Sequence, residues 1–457
     1  MMLGCRVVLF PQPLVGHMNP MIHLANVLHS KGFSITIIHT RFNSPDPSKF
    51  PNFTFHFIED ALWKVKDNPP SEVLKILHDL NASCLAPFRG CLSQIIDASS
   101  SKEPVACLIL DPFWQFAATV SEEFNLPRIA LRTGGILASI VYDVLPLLRE
   151  KGYFPLQEAR QQEIVPEILP LKVKDLPSEE HHNTLVAMVE ETKHCTQGII
   201  CNTYKELEGP DLDRFHQTFP SIPVFPLGPL HKHPSSNESS VVIQDQSYLT
   251  WLNKQAPNSV LYVSFGTLAV IGKEELLELA WGLANSEQPF LWVVRPKLTG
   301  SIENDVLLPK DFLRNVAGRS HIVQWVQQQQ VLAHPSVGGF WTHCGWNSTI
   351  ESISEGVPMI CFPFFGDQRV NARQISDTWR IGLHLERGLE RKEIERTIRT
   401  LMVEKEGKDM RERAATLKEK TKDCIGEGGS SYESLNRLTS HILSFSSAES
   451  VNLNHIE

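Results

Sequence analysis

Nowhere in its 457 residues does the chain carry an apolar run long enough for a membrane-spanning helix, a dense basic patch, a Gly-rich GKS or GKT phosphate loop, or a GxGxxG fingerprint. Each absence removes a class of function. A helix that crosses a bilayer needs about 20 mostly apolar residues in a row. A nucleic-acid partner calls for a basic footprint, whereas 52 acidic residues here face 43 basic ones and the distributed charge sums to -9. Kinase and dehydrogenase readings lose their strongest support with the two glycine signatures. Asp211-Leu212-Asp213 lies in a polar segment away from a strand end, and His181-His182 and His194-Cys195 complete no compact ligand set, so no metal is expected.

Cysteine supplies no framework either. The nine, Cys5, Cys84, Cys91, Cys107, Cys195, Cys201, Cys344, Cys361 and Cys424, are odd in number and scattered, and several sit in apolar runs where a reduced thiol acts as a small buried side chain. The strand-like Cys5 to Pro11 starts almost at once, without room for a charged leader. The expectation is a soluble, cytoplasmic monomer, in which the glycosylation-like tripeptides at Asn81, Asn237 and Asn347 are coincidental.

What the chain does have is core material, 42% hydrophobic residues, arranged as short apolar runs alternating with longer segments. Strands are expected at Cys5 to Pro11, Ser34 to Thr40, Phe53 to Ile58, Ala106 to Pro112, Pro127 to Thr133 and Gln197 to Thr203. A polar stretch, Leu230 to Tyr248, reads as a linker or exposed loop. A second series then follows at Val260 to Gly266, Phe290 to Pro296, His321 to Val326, Gly338 to Trp341 and Pro358 to Phe365. Asn19-Pro20 reads as a cap and first helical residue, with a helix from Met21 to Lys31. Others are expected at Glu274 to Ala284, from Asn347 or Ser348 to before Gly356, at Glu390 to Val403, at Met410 to Cys424 and at Ser431 to Leu443. Alternation of this kind predicts parallel sheets covered on both faces, with ligand groups at the carboxyl ends of strands. At this length a core usually divides, so two similar α/β domains facing a cleft are expected: 1–240, 241–435, and a C-terminal helix and tail over 436–457 that can pack back on the first.

Two places carry chemistry. His17 follows the first strand beside a helix start, whose field favours a neutral, proton-accepting imidazole. One isolated histidine is weak evidence, and by itself it is better explained by a structural or hydrogen-bonding role. Asp111 ends another strand; its carboxylate can either bond a ring nitrogen of His17, or cap the turn that follows. Farther on, Trp325 to Gln368 strings together a strand, the turn Thr342-His343-Cys344-Gly345 and a helix start whose amides favour phosphate oxygens. Cys344 beside His343 is also readable as a nucleophile, though the turn has other uses for both.

That 44-residue stretch closely resembles the signature box of plant family 1 UDP-sugar glycosyltransferases that act on small molecules. GHMNP at Gly16 to Pro20, VSFGT at Val263 to Thr267 and GGSSYESL at Gly428 to Leu435 extend the resemblance over essentially the full chain. Its beginning looks like the group containing steviol-glycoside, cytokinin and nicotinate glucosyltransferases. The resemblance implies a GT-B fold of two Rossmann-like domains and an inverting transfer of glucose from UDP-glucose to a hydroxyl of a small lipophilic metabolite or its glycoside. No cofactor is required, and His17 and Asp111 form the catalytic pair. A catalytically silent nucleotide-sugar-binding protein is the alternative.

By the same resemblance Trp325 stacks on uracil, with Val326 beside it, Gln328 contacts the nucleotide, and Glu351 accepts from the ribose hydroxyls. Glu351 with Ser348 also has capping-box spacing. Thr267, His343, Asn347 and Ser348 would bind the diphosphate, with Gly16, Gly345 and Thr133 nearby, and Trp346, Asp367 and Gln368 would contact the sugar. Phe88, Phe113, Ile136, Leu137, Ile140, Val141, Tyr142, Met188 and Phe364 are candidates for an apolar acceptor wall, each equally explicable as core. Three positions depart from the pattern: Gln327 stands where proline is usual, Gln330 where glutamate is frequent, and Arg132 where an apolar residue often precedes the threonine.

Overall fold

The computed structural model of the chain describes residues 4–62, 73–99, 103–233, 246–295, 298 and 308–453. The chain forms two compact units, Met1–Gln157 with Ser178–Val241 and Asp423–Glu457, and Glu158–Pro177 with Val242–Lys422. Part of the expected Leu230 to Tyr248 loop, and Asn237 within it, lies outside the described residues.

In the first unit the elements run β1 (Arg6–Phe10), α1 (Val15–Ser30), β2 (Ser34–Thr40), β3 (Phe53–Ile58), α2 (Val73–Ala98), β4 (Val105–Leu110), α3 (Ala117–Glu123) and β5 (Arg128–Arg132). Then come α4 (Ile136–Glu150), α5 (His182–Cys195), β6 (Gly198–Cys201), α6 (Lys205–Thr218) and β7 (Val224–Pro226). All seven strands are parallel, in the order β3-β2-β1-β4-β5-β6-β7. The two-residue period of a strand sorts its side chains between faces. Val7 and Leu9 of β1 pack with α1 and with Leu435, Leu438 and Ile442 of the C-terminal helix. Val8 and Phe10 pack on the opposite face with Leu80, Phe88 and Leu92 of α2. Every residue of β4 is buried, as a central parallel strand requires.

The second unit continues with α7 (Ser247–Leu252), β8 (Val260–Ser264), α8 (Lys273–Ser286), β9 (Phe290–Val293), α9 (Lys310–Asn315), β10 (Ser320–Val323) and α10 (Gln328–Leu332). After these come β11 (Val337–Thr342), α11 (Trp346–Glu355), β12 (Met359–Cys361), α12 (Gln368–Arg373), β13 (Gly382–His384), α13 (Arg391–Met402) and α14 (Lys405–Ile425). The helix α15 (Ser430–Leu453) returns to the first unit. The second sheet is parallel in the order β10-β9-β8-β11-β12-β13. In each sheet the strand order reverses once, between β1 and β4 and between β8 and β11. Such switch points leave a crevice at the carboxyl ends of the two strands.

Several local expectations are corrected. Helix α1 begins at Val15, not at the Asn19-Pro20 pair: Leu14 supplies the extended cap residue, its carbonyl accepts from both His17 and Met18 at 2.8 Å, and Pro20 sits inside the helix. Proline costs the amide that would have bonded the Gly16 carbonyl, a loss tolerable this close to the helix start. Helix α11 begins at Trp346, one residue before the earliest expected start, because Gly345 in extended conformation is its cap. The three-residue edge strands β7 and β13 carry too little pattern to be foreseen. Helix α15 runs on to Leu453, past the expected end at Leu443.

Candidate active site

At the first switch point, β1 leads into α1 and β4 into Asp111. The ladder ends with Phe10 opposite Leu110, and Asp111 N–H donates to the Phe10 carbonyl at 3.3 Å. This brings His17, on the first turn of α1, against Asp111: Nδ1 lies 2.6 Å from Oδ2, with Asp111 1% exposed and His17 22%. The other carboxylate oxygen, Oδ1, accepts the Phe113 N–H at 3.0 Å. Asp111 therefore does both things open to it, capping the turn and orienting the imidazole. Thr133, one residue beyond β5, places Oγ1 3.2 Å from the same Nδ1, and the Phe113 ring meets the imidazole edge-on at 5.7 Å. A carboxylate on Nδ1 fixes the proton there and makes Nε2 the basic nitrogen.

Of the apolar candidates, Phe113 alone touches His17 among the described ring contacts. Phe88 is core: it is fully buried and stacks on Phe10 at 4.5 Å. Ile136, Leu137, Ile140, Val141 and Tyr142 lie along α4 and are buried, as is Met188 on α5. Phe364 is partly exposed in the second unit and packs against Phe265 and Phe362. Arg132 neither reaches solvent nor stands idle: it is buried, donates to Ser139 Oγ at 2.7 Å and lies against Met188 Sδ.

At the second switch point, β8 ends in Ser264 and runs through Phe265 to Gly266 and Thr267, while β11 ends in Thr342, opposite Ser264, and runs into His343. Gly266 has φ +69°, and a Cβ there would lie 2.8 Å from the His343 ring; one on Gly345 would lie 2.5 Å from it. Only glycine lets both backbones close on the imidazole. Burial first, and the charge of Arg295 second, push the His343 pKa down to about 4, with the Ser264 backbone acting the other way. The ring is thus a neutral hydrogen-bonding group at ordinary pH. Thr267 is exposed beside it. In α11 the Thr349 amide closes the first intrahelical bond, to Gly345 O at 3.0 Å, so the amides preceding it form the anion-attracting end of the helix. Trp346 is buried and packs on Trp379, so what it can offer a ligand is its backbone rather than its indole. Cys344 is fully buried and its thiol is pushed well up by burial, which removes the thiolate a covalent mechanism needs.

The remaining residues flank this turn. Asp367 is held through Oδ2 by Asn371 Nδ2 at 3.1 Å, and the same amide nitrogen donates to Cys344 O at 2.9 Å. Gln368 Oε1 accepts from the Phe364 amide at 2.9 Å and the Phe365 amide at 3.2 Å. On the other side, Trp325 is 55% exposed and Val326 is buried. Gln328 accepts from Tyr262 OH at 3.2 Å and donates through Nε2 to Ser348 Oγ at 2.9 Å and Glu351 Oε2 at 2.7 Å. Burial raises the Tyr262 phenol and keeps it a donor, which fixes the sense of the Gln328 amide. Gln329 Nε2 donates to Glu351 Oε1 at 3.1 Å. Glu351 is therefore oriented by two glutamines, not by a capping box with Ser348. Sequence reasoning missed Gln329 and Tyr262 because neither has a chemistry that stands out from its local pattern.

Arg295, two residues past β9, was read only as the end of a strand. Its Nε donates to the Gly266 carbonyl at 3.0 Å. Among the described residues no group of three or more His, Cys, Asp or Glu side chains is placed to hold a metal.

The chain matches the family model described as UDP-glucoronosyl and UDP-glucosyl transferase over residues 240–421. It is 49% identical to UDP-glycosyltransferase 76B1 of Arabidopsis thaliana over 445 residues, which cover 96% of this chain and 98% of the relative. Among solved structures it resembles a UDP-glucose:anthocyanidin 3-O-glucosyltransferase in complex with UDP, with a TM-score of 0.84 and 27% identity over 97% of this chain and all of the other. A Polygonum tinctorium UDP-glucosyltransferase capable of glucosylating indoxyl gives a TM-score of 0.81 and 29% identity over 97% and 99% of the two chains. With parallel-sheet units of the GT-B kind and relatives matched along nearly their whole length, the chain belongs to the plant family 1 UDP-glycosyltransferases.

Proposed function

We propose that the protein is an inverting glucosyltransferase that moves glucose from UDP-glucose to a hydroxyl group of a small lipophilic plant metabolite or its glycoside, giving a β-glucoside. The single observation that carries this reading is the 2.6 Å contact between His17 Nδ1 and the buried Asp111 carboxylate. Nε2 of His17 takes the acceptor proton as the acceptor oxygen attacks the anomeric carbon, and Asp111 stabilises the imidazolium that forms. The bond from that carbon to the diphosphate breaks, and UDP leaves with its charge met by the α11 amides, Thr267, Asn347, Ser348 and neutral His343. In this reading the first unit takes the acceptor and the second the donor. Trp325 stacks on uracil, Glu351 grips the ribose, and Asp367 and Gln368 hold the sugar.

The relatives support the choice of donor class: one solved neighbour carries UDP, another UDP-2-fluoroglucose with pterostilbene. The test is incubation with a plant-metabolite pool and competing UDP-sugars, read by mass spectrometry. A hexose gained by a hydroxylated metabolite, with UDP released and UDP-glucose preferred, is the expected result. Binding of UDP-sugars without any acceptor-dependent release of UDP would overturn it.

A further inference from the structure

Arg295 lies at the carboxyl end of the second sheet, on the strand next to β8. Three observations bear on it. Its Nε–H holds the Gly266 carbonyl at 3.0 Å, the peptide whose α-carbon has no room for a Cβ against His343. Its Nη2 is buried without a hydrogen-bond partner among the described residues, and none of the described ion pairs involves it. Its charge is also close enough to His343 to disfavour protonation of the ring. A guanidinium taken out of water is costly unless an anion completes it. The strand end beside it is where the donor diphosphate sits in the function proposed above, on which this inference rests.

We propose that Arg295 is a positioning residue for the donor diphosphate: it fixes the Gly266 turn that carries Thr267 and supplies the positive charge that the pyrophosphate meets behind His343. The site then gathers cationic character without a protonated histidine or a bound metal. His343 stays neutral beside the cation and serves as a directional hydrogen-bonding group, while the guanidinium carries the charge. Described ionisable groups near this strand end include Cys344, whose thiol burial keeps protonated, Cys361 beside it, Asp367, whose charge acts on Cys344, and Tyr262 on β8, whose phenol burial also keeps protonated.

The experiment compares UDP with uridine by calorimetric titration on the full-length wild type, Arg295→Gln and Arg295→Lys, and follows the His343 imidazole by NMR across pH. The glutamine variant keeps a donor for the Gly266 carbonyl and removes the charge. UDP affinity is expected to fall about tenfold or more in Arg295→Gln, with uridine affinity unchanged, and Arg295→Lys is expected to recover part of the loss. The His343 pKa is expected to rise toward its ordinary value in the glutamine variant. Equal losses for UDP and uridine, or an unchanged UDP-to-uridine ratio with an unshifted His343, would overturn the proposal. A wild type that does not prefer UDP to uridine overturns the donor reading itself, a result distinct from both.

Discussion

Asp111 divides one carboxylate between two partners, Oδ2 at 2.6 Å from His17 Nδ1 and Oδ1 at 3.0 Å from the Phe113 amide. The division separates two variants. Asp111→Asn retains an oxygen for the turn but presents an NH2 group where the imidazole needs an acceptor, so the ring is driven toward the wrong tautomer. We expect a fall in kcat of about 10²–10⁴ with little change in melting temperature. Asp111→Ala loses both contacts and is expected to melt earlier as well. His17→Ala should abolish transfer to an alcohol while UDP still binds by calorimetry; full turnover in that variant would remove the base assignment.

The nucleotide end offers an independent test. Trp325 is 55% exposed, which leaves its indole face open to a base. Stacking of a base on an aromatic ring is worth about 1–3 kcal/mol, so Trp325→Ala is expected to weaken UDP binding roughly ten- to a hundredfold, and Trp325→Phe far less. For Glu351, held by Gln328 and Gln329, the diagnostic quantity is discrimination. Glu351→Ala should erase the preference for UDP over 2′-deoxy-UDP. An undiminished preference would mean that the ribose is held elsewhere.

Gln327 caps α10 in an extended conformation, φ −78° and ψ 98°, close to what proline imposes. Its amide donates a long bond, 3.4 Å, to Tyr248 OH. Gln327→Pro is therefore expected to raise stability by about 0.4–1 kcal/mol, because the unfolded chain loses freedom that the folded one does not use. Denaturant melts would show it as a higher midpoint with the same slope. A lowered midpoint would show that the Tyr248 contact matters more than its length implies.

How much of this was legible depends on how local the cause is. Apolar runs located β2 at its full length and the interiors of other strands, because burial on both faces leaves a continuous hydrophobic signature; the half-exposed edge strand β3 was located by its phenylalanine-rich run instead. The start of α1 was not legible, since Pro20 looks like a first helical residue and nothing in the sequence says that Leu14 has already turned the chain. Nor was the attachment of residues 158–177 to the second unit. It rests in part on Arg373, which donates to Asp175 through Nε at 2.9 Å and Nη2 at 3.2 Å across 198 positions, and in part on Lys174, which donates to Glu386 at 2.6 Å. For His17 and Asp111, the sequence named both residues and the alternatives for each. Only the adjacency of β1 and β4 puts them in contact.

The second unit also carries a pH signature. Burial, followed by the charge of Arg295, holds His343 at about 4; burial, followed by the charge of Arg373, holds His384 at about 4, with Glu386 and Asp175 opposing. Unfolded, both rings titrate near 6.5. Above that pH neither state binds the proton and the histidines contribute no slope. Between 6.5 and 4 the unfolded chain takes up protons that the folded chain refuses, so stability must fall as the solution is acidified, by about 1.4 kcal/mol per unit for each ring fully within the window. Glu386, held down to about 2 mainly by Lys174 and Arg373 against its own burial, acts in the same direction lower down, between its ordinary range and pH 2. The melting temperature is therefore expected to drop between pH 7 and 5 in the wild type, and to drop less in His384→Gln, which removes one of the two rings and leaves His343 in place. A wild-type melting temperature that is flat over that interval would show that the two imidazoles are not held neutral by the fold.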